Sequence, residues 1–350
     1  MSRELYVSST TSASLRDYTE QPLKAGQVRI KAEHGAAKHG TELAFLKGYG
    51  GARGGFDREM QVFTGGSGKA NPSPIVPGNM VVGRVVELGA DVTSFKIGDR
   101  VLTYGGFRET AVADARQGVH GDGVVMVPMP ETLDWRSAVC IDPAAFALAA
   151  VRDGNVRVGD AAAIFSLGAI GLIGVQWARL AGASPIIAVD PLESRRKLAL
   201  TLGADICLDP LACDAGLEIK KATKKRGVDV AVEYSGSAAA LQSALKSVAF
   251  GGTVVCGAFP PPYGAGLDFG AESHMNRPRI VFSRACSDPN ADHPRWDQAR
   301  IWETCWNAIC AGKIRGEQIV EPVVPFGEAP AAYIRMVADP ASSIKLGVKF

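Results

Sequence analysis

No cysteine precedes Cys140, and the seven in the chain never fall in a CxxC spacing. An odd number of thiols without paired spacing excludes a disulfide framework and fits free, buried cysteines in a reducing compartment. No uninterrupted apolar run approaches the roughly twenty residues that cross a bilayer, and the opening MSRELYVSST has no apolar signal core. The expectation is a cytoplasmic protein without membrane contact. Charge of one sign is missing as well: 38 basic against 36 acidic residues leave +2. That is too weak a field to grip a phosphate backbone, so nucleic acid is excluded as a partner. The one dense basic run, 220–226, reads as a solvated helix face. Glycine, by contrast, is plentiful, 40 of 350 residues against about 7% on average. It follows no Gly-X-Y period, so it marks turns and close backbone approaches.

At roughly 100–200 residues per domain the chain makes about two domains. To about residue 140 the rhythm is of short strands between turns: QVRIKAEHGAA, VVGRVVELGADVTSFKIGDRVLTY, ETAVADA. Such runs predict a small antiparallel barrel or sandwich. A glycine-, proline- and serine-rich insert occupies about residues 48–78, long enough to be mobile or functional. From about residue 155 strand and helix alternate: AAAIFS, GLIGVQWARLAGA, PIIAVD, SRRKLALTLGAD, VDVAVEYSG, GGTVVCGAF, RIVFSRA. This pattern predicts a doubly wound parallel sheet. WDQARIWETCWNAICAGKI then reads as a helix with Trp296, Trp302, Trp306 and Ile309 toward the core.

The strongest chemical signal joins the first strand to its helix. Ser166, Gly168 and Gly171 stand where GxGxxG places its glycines. Gly168 permits close approach of a pyrophosphate, Gly171 permits tight helix–strand packing, and the helix start offers unpaired N–H groups to an anion. Ser166 must make a turn that glycine makes without strain. Asp190 follows the second strand, 22 residues after Gly168, near the roughly 20-residue offset of a ribose-binding acid. A carboxylate there favours NAD and repels the 2′-phosphate of NADP. Arg195 and Arg196 keep NADP as the less favoured choice.

These features, with HGTEL at 39–43, PIVPGNMVVGRVVELGADVTSFKIGDRV at 74–101, IDPAAFALAAV at 141–151 and the closing PFGEAPAAYIRMVADPASSIKLGVKF, resemble the medium-chain dehydrogenase/reductase superfamily over essentially the whole chain. The resemblance implies an α/β protein: a GroES-like, β-rich catalytic domain (1–147), a Rossmann nucleotide-binding domain (148–288) and a C-terminal segment (289–350) returning to the catalytic domain. It adds Ala169, Ile170, Ser235, Gly257 and Ala258 to the cofactor contacts, with Arg195 near the ribose. It also implies a homodimer or homotetramer joined through an edge strand of the nucleotide domain.

In zinc members of that family the metal ligands occupy positions that here read His39, Asn79 with Met80, and Asp142. Asn79 and Met80 are poor zinc donors, and VLTYGGFRETAVAD runs through the place of the structural zinc lobe. The expectation is therefore a zinc-independent enzyme. Another group must then manage the proton that accompanies the hydride. Thr41 matches the relaying hydroxyl of zinc relatives, and Lys38 and His39 are candidates for general acid/base. Glu42 either orients its neighbours or meets substrate. Asn79 either binds a substrate hydroxyl or satisfies its own turn; Asp142 either caps its helix or pairs with substrate or Lys38. Tyr104 is a further pocket candidate, and the other histidines carry no pattern.

The expected function is hydride transfer between NAD and a secondary alcohol or ketone, with a polyol, cyclitol or sugar as the small-molecule substrate. Two alternatives stand beside it: an NADPH-dependent enone or quinone reductase, and a nucleotide-binding sensor without catalysis.

Overall fold

A computed structural model describes residues 1–115, 118–120, 123–286, 292 and 294–350. The chain divides into two compact units: residues 1–119, 124–139 and 320–350 in one, 120–123 and 140–319 in the other.

The first unit is built around the strand Gln27–Ala36, whose Val28 and Ile30 are fully buried. One edge pairs antiparallel with Met80–Leu88 over its whole length. The other edge is shared: Thr110–Asp114 takes residues 27–31, and the C-terminal strand Lys345–Lys349 takes residues 34–36. An eight-stranded sheet results among the described residues. Its core holds Val28, Ile30, Val85, Val101 and Met126, and the return of the C-terminus is thereby part of the sheet itself. Inside the glycine-rich insert, Gly54–Asp57 and Val62–Gly65 form a hairpin, with Phe56 edge-on to Phe63 at 5.1 Å.

His34, which carries no sequence pattern, lies on the central strand and stacks on Trp135 at 4.4 Å. Its Nδ1 is buried without a hydrogen-bond partner. Burial holds its pKa below the ordinary 6.5. The unfolded chain therefore takes up this proton near pH 6.5 while the folded one resists it. Stability falls as pH drops from about 6.5 toward the lowered value. His34→Phe keeps the stacked ring and removes the titration, so the loss of Tm between pH 7 and 5 becomes smaller; an unchanged slope in thermal melts would contradict this.

Numbered in chain order, the parallel sheet of the second unit comprises β1 (Ala162–Phe165), β2 (Ile186–Val189), β3 (Ile206–Leu208), β4 (Val228–Glu233), β5 (Val248–Cys256) and β6 (Arg279–Phe282), in spatial order 3-2-1-4-5-6. All four residues of β1 and of β2 are buried, which requires helices on both faces. One core cluster joins Phe165, Ile187, Val189, Ile219, Leu245 and Val254. The order reverses between β1 and β4, and such a switch point opens a ligand crevice at the carboxyl ends of the strands.

The unit boundaries fall at 139/140 and 319/320, where the sequence reading divides the chain at 147/148 and 288/289. Helix Ile141–Asp153 packs on Ala169–Leu180 and on Gln298–Cys310, which draws all three into the nucleotide unit. In the last of these helices Trp302 and Ile309 are buried as expected and Trp306 is half-buried. Trp296 precedes the helix, and two guanidinium groups lie over its ring, Arg152 at 3.6 Å and Arg300 at 4.4 Å from the centroid. The cysteines are free, but only Cys140, Cys256 and Cys305 are buried; Cys286 and Cys310 are exposed. Among the described residues no helix is long and apolar enough to cross a membrane.

Candidate functional site

At the end of β1 the chain turns through Ser166, which adopts a left-handed backbone with φ +73°. A serine there carries the strain that the missing first glycine would avoid. Ser166→Gly is expected to raise stability by up to about 1 kcal/mol, read as a higher urea midpoint; a lower one would contradict it. A Cβ on Gly171 would stand 1.8 Å from the Ser166 carbonyl oxygen, so this helix closes on the strand only with glycine. A Cβ on Gly168 would meet nothing within 4 Å. Open space therefore faces the start of the helix Ala169–Leu180, where Ala169 and Ile170 begin the first turn, whose main-chain N–H groups have no partner within the helix itself.

Asp190 braces this turn. Its carboxylate is buried and accepts from Leu167 N–H at 2.7 Å and Leu192 N–H at 2.8 Å. Arg195 lies 4.0 Å from it, and Arg196 donates to the Asp190 carbonyl at 2.7 Å and pairs with Asp209. The acid read from the sequence as a ribose ligand is thus engaged with the glycine turn itself. An adjacent guanidinium also softens the repulsion that this carboxylate would offer a 2′-phosphate.

Across the carboxyl edge of the sheet, Phe165, Glu233 and Cys256 stand in one register. Glu233, absent from the sequence-based set, is fully buried. It accepts from the Ser235 hydroxyl and main chain and from Gly236 N–H at 3.0 Å. Burial pushes its carboxyl up, against the pull of those donors. Ser235 is thus a loop anchor. Gly257 is needed because a Cβ there would meet the Tyr234 ring at 2.6 Å, and Ala258 follows it.

In the first unit, segment 38–42 leaves the central strand and enters the short helix His39–Leu46. Three elements hold it. The C-terminal strand gives Leu346 N–H to His39 Nε2 at 3.1 Å and Lys345 Nζ to the Ala37 carbonyl at 2.6 Å. The turn before Met80 gives Gly78 N–H to Glu42 at 2.9 Å. The helix Ala329–Ala338 gives the Tyr333 hydroxyl to Glu42 at 2.8 Å. Burial first, then Glu42, pushes the Tyr333 phenol up. Glu42 is itself buried, with both oxygens committed to protein donors, so it orients neighbours rather than contacting substrate.

An imidazole nitrogen that accepts a hydrogen bond carries no proton, so neutral His39 holds its proton on Nδ1. Thr41 lies half-exposed in the first turn of the helix. Asn79 N–H donates to the Ala36 carbonyl, and its own carbonyl accepts from Gly105 N–H. Its buried Nδ2 has no partner, so this donor does not satisfy the turn. Tyr104 lines a cleft of about 420 Å³ with Tyr18, Glu20, Arg29, Arg108 and Thr110, and no other candidate residue lines it. Asp142 belongs to the second unit and is buried. It is not the N-cap of its helix, as one sequence reading had it; Cys140 holds that position and Asp142 lies in the first turn.

For zinc the donor set is poor. Asn79 and fully buried Met80 offer no thiolate, imidazole or carboxylate, and His39 Nε2 is already an acceptor for the main chain. Among the described residues no group of three or more His, Cys, Asp or Glu is placed to hold a metal ion. A dinucleotide is another matter, since the open turn at Gly168 ahead of a helix N-terminus suits its diphosphate.

Residues 25–127 match the alcohol dehydrogenase GroES-like domain family and 169–296 the zinc-binding dehydrogenase family. The chain is 43% identical to D-guloside 3-dehydrogenase of Escherichia coli, over 99% of this chain and 100% of that one. Among solved structures it is similar to 2R,3R-butanediol dehydrogenase from Bacillus subtilis, with a TM-score of 0.75 at 21% identity and full coverage of both chains. A zinc-binding dehydrogenase fold from Sinorhizobium meliloti, solved bound to NADP, also aligns at TM-score 0.75 and 21% identity, over 100% of this chain and 99% of that one. With both family matches in order along the sequence and a full-length relative at this identity, the chain belongs to the medium-chain dehydrogenase/reductase superfamily of oxidoreductases.

Proposed function

We propose that this chain is an NAD-dependent, zinc-independent dehydrogenase that interconverts a secondary hydroxyl of a glycoside or related polyol with the ketone. The observation that carries the reading is the 43% identity, along essentially the whole of both chains, with an enzyme named for oxidation of a D-guloside. The bound dinucleotide supplies the hydride acceptor. The chain's own residues supply position and proton transfer.

The amides of Ala169 and Ile170, beside Gly168, would hold the diphosphate, with Gly171 keeping the helix close. Asp190 would reach the adenosine ribose through lone pairs that Leu167 and Leu192 leave, with Arg195 beside it. Ser235, Gly257 and Ala258 would line the carboxyl edge of the sheet. In the catalytic segment the fixed tautomer of His39 divides the labour. With Nε2 engaged by Leu346, neutral His39 takes no proton at Nδ1 and serves as a donor to the substrate oxygen. Lys38, entering as the neutral amine, is then the group that accepts the alcohol's proton to become the ammonium and returns it in reduction, with Thr41 as relay. The buried amide N–H of Asn79 is suited to a substrate oxygen.

D-Gulosides and other glycosides are the first substrates to assay with NAD and with NADP, following reduced nicotinamide by absorbance. Turnover with NAD, at least tenfold more efficient than with NADP, is the outcome expected of the Asp190 arrangement. A preference for NADP, for which Arg195 beside that acid is the structural argument, would overturn the cofactor assignment. We also propose a homodimer or homotetramer through the sheet edge at Arg279–Phe282, where Ile280 and Phe282 are 39% and 80% exposed.

A further inference from the structure

Glu42 and Tyr333 stand outside the reacting set, yet their contacts converge on it. One carboxylate oxygen accepts from Lys38 N–H at 2.8 Å and from Gly78 N–H at 2.9 Å. These two amides come just before His39 and Asn79 in the chain. A single oxygen therefore fixes the separation of the two segments that carry the candidate donors. Lys38 is the N-cap of His39–Leu46 and gives no side-chain cap of its own, and the Glu42 carboxylate, four residues on, takes up its main-chain N–H. The other oxygen accepts only the Tyr333 hydroxyl among the bonds described, at 2.8 Å. Tyr333 is wholly buried on Ala329–Ala338, among Leu346, Val348 and Phe326, so its phenol has a fixed origin.

We propose that Tyr333, acting through Glu42, is a positioning residue that sets the register of the Lys38–His39 segment against Asn79. This rests on the dehydrogenase reading above for its activity readout. A carboxylate with three protein donors is satisfied only as a unit, and removing one donor lets the other two relax. Displacement of a catalytic group by about 1 Å can cost as much as 100-fold in rate, so the effect appears in kcat before it appears in cofactor binding.

The test compares Tyr333→Phe, Glu42→Gln and Glu42→Ala in the full chain. Tyr333→Phe keeps the ring and loses the donor. Its kcat falls about tenfold while KM for the dinucleotide stays within about twofold. Glutamine keeps one oxygen for both main-chain amides and offers its own N–H to the Tyr333 oxygen, so Glu42→Gln recovers activity to within about threefold of wild type. Glu42→Ala falls by about 100-fold. A readout without cofactor is the 15N shift of the His39 imidazole: a single Nδ1–H tautomer in wild type and Glu42→Gln, an averaged signal in Tyr333→Phe. Wild-type kcat together with an unchanged His39 signal in Tyr333→Phe would overturn the proposal. So would a Glu42→Gln protein as inactive as Glu42→Ala, since Glu42 would then react itself. Should wild type turn over no glycoside or polyol, the activity reading fails, and the His39 signal still decides the clamp.

Discussion

Lys38→Ala loses 100- to 10,000-fold in kcat, about the worth of a positioned general acid/base, while its affinity for NADH stays near that of wild type. The argument begins with a main-chain bond. Leu346 N–H occupies His39 Nε2, so the neutral ring already bears its proton on Nδ1 and has no site left to receive the alcohol's proton. Of the ionisable side chains in segment 38–42, Glu42 has both oxygens committed to protein donors. Lys38 remains. Small primary amines added to Lys38→Ala should restore part of the rate in proportion to their concentration. His39→Ala should lose less, about 10- to 100-fold, because it removes a donor to oxygen and leaves the proton acceptor in place. Loss of activity in His39→Ala far exceeding that in Lys38→Ala, with no amine rescue, would reverse these roles.

Gly171→Ala is expected to weaken NAD(H) binding by more than 100-fold and to destabilise the protein by roughly 2–3 kcal/mol, the range of an overpacked core. The added carbon would stand 1.8 Å from the Ser166 carbonyl oxygen. Backbone cannot yield as a flexible side chain does. Either the helix Ala169–Leu180 moves off β1, or the turn at Ser166 opens, and both withdraw amides from the diphosphate. Gly168→Ala is the informative contrast, because its carbon meets nothing within 4 Å of protein. That variant should fold with wild-type stability and still bind cofactor poorly. Calorimetry with NADH and a denaturant series separate the two effects. A Gly168→Ala protein that binds as tightly as wild type would place the diphosphate elsewhere.

Local signals explain how the two domains became legible. Apolar β1 and β2 can be buried only under helices on both faces, and the spacing from Ser166 through Asp190 reports a turn whose geometry the backbone repeats. The catalytic segment was legible only as a set of reactive residue types. Its arrangement depends on partners some 300 residues away, Tyr333 and Leu346, and no local period marks them. The same limit applies to Asp190, whose spacing identified it while its engagement with Leu167 was invisible. Glu233 had a weak local sign, a carboxylate ending an apolar strand just before Ser235 and Gly236. Asp142 shows the opposite failure. A Pro after an acid suggests a cap, but the helix begins earlier and places the cap at Cys140.

Replacement of a Lewis acid by fixed side-chain donors is the chemical core of the account. The zinc content of freshly purified, catalytically active protein, measured per subunit by elemental mass spectrometry, bears on it most directly. Well under one zinc per subunit, with turnover surviving prolonged chelation, is the predicted outcome. One tightly held zinc per subunit, whose removal abolishes turnover and whose return restores it, would contradict it.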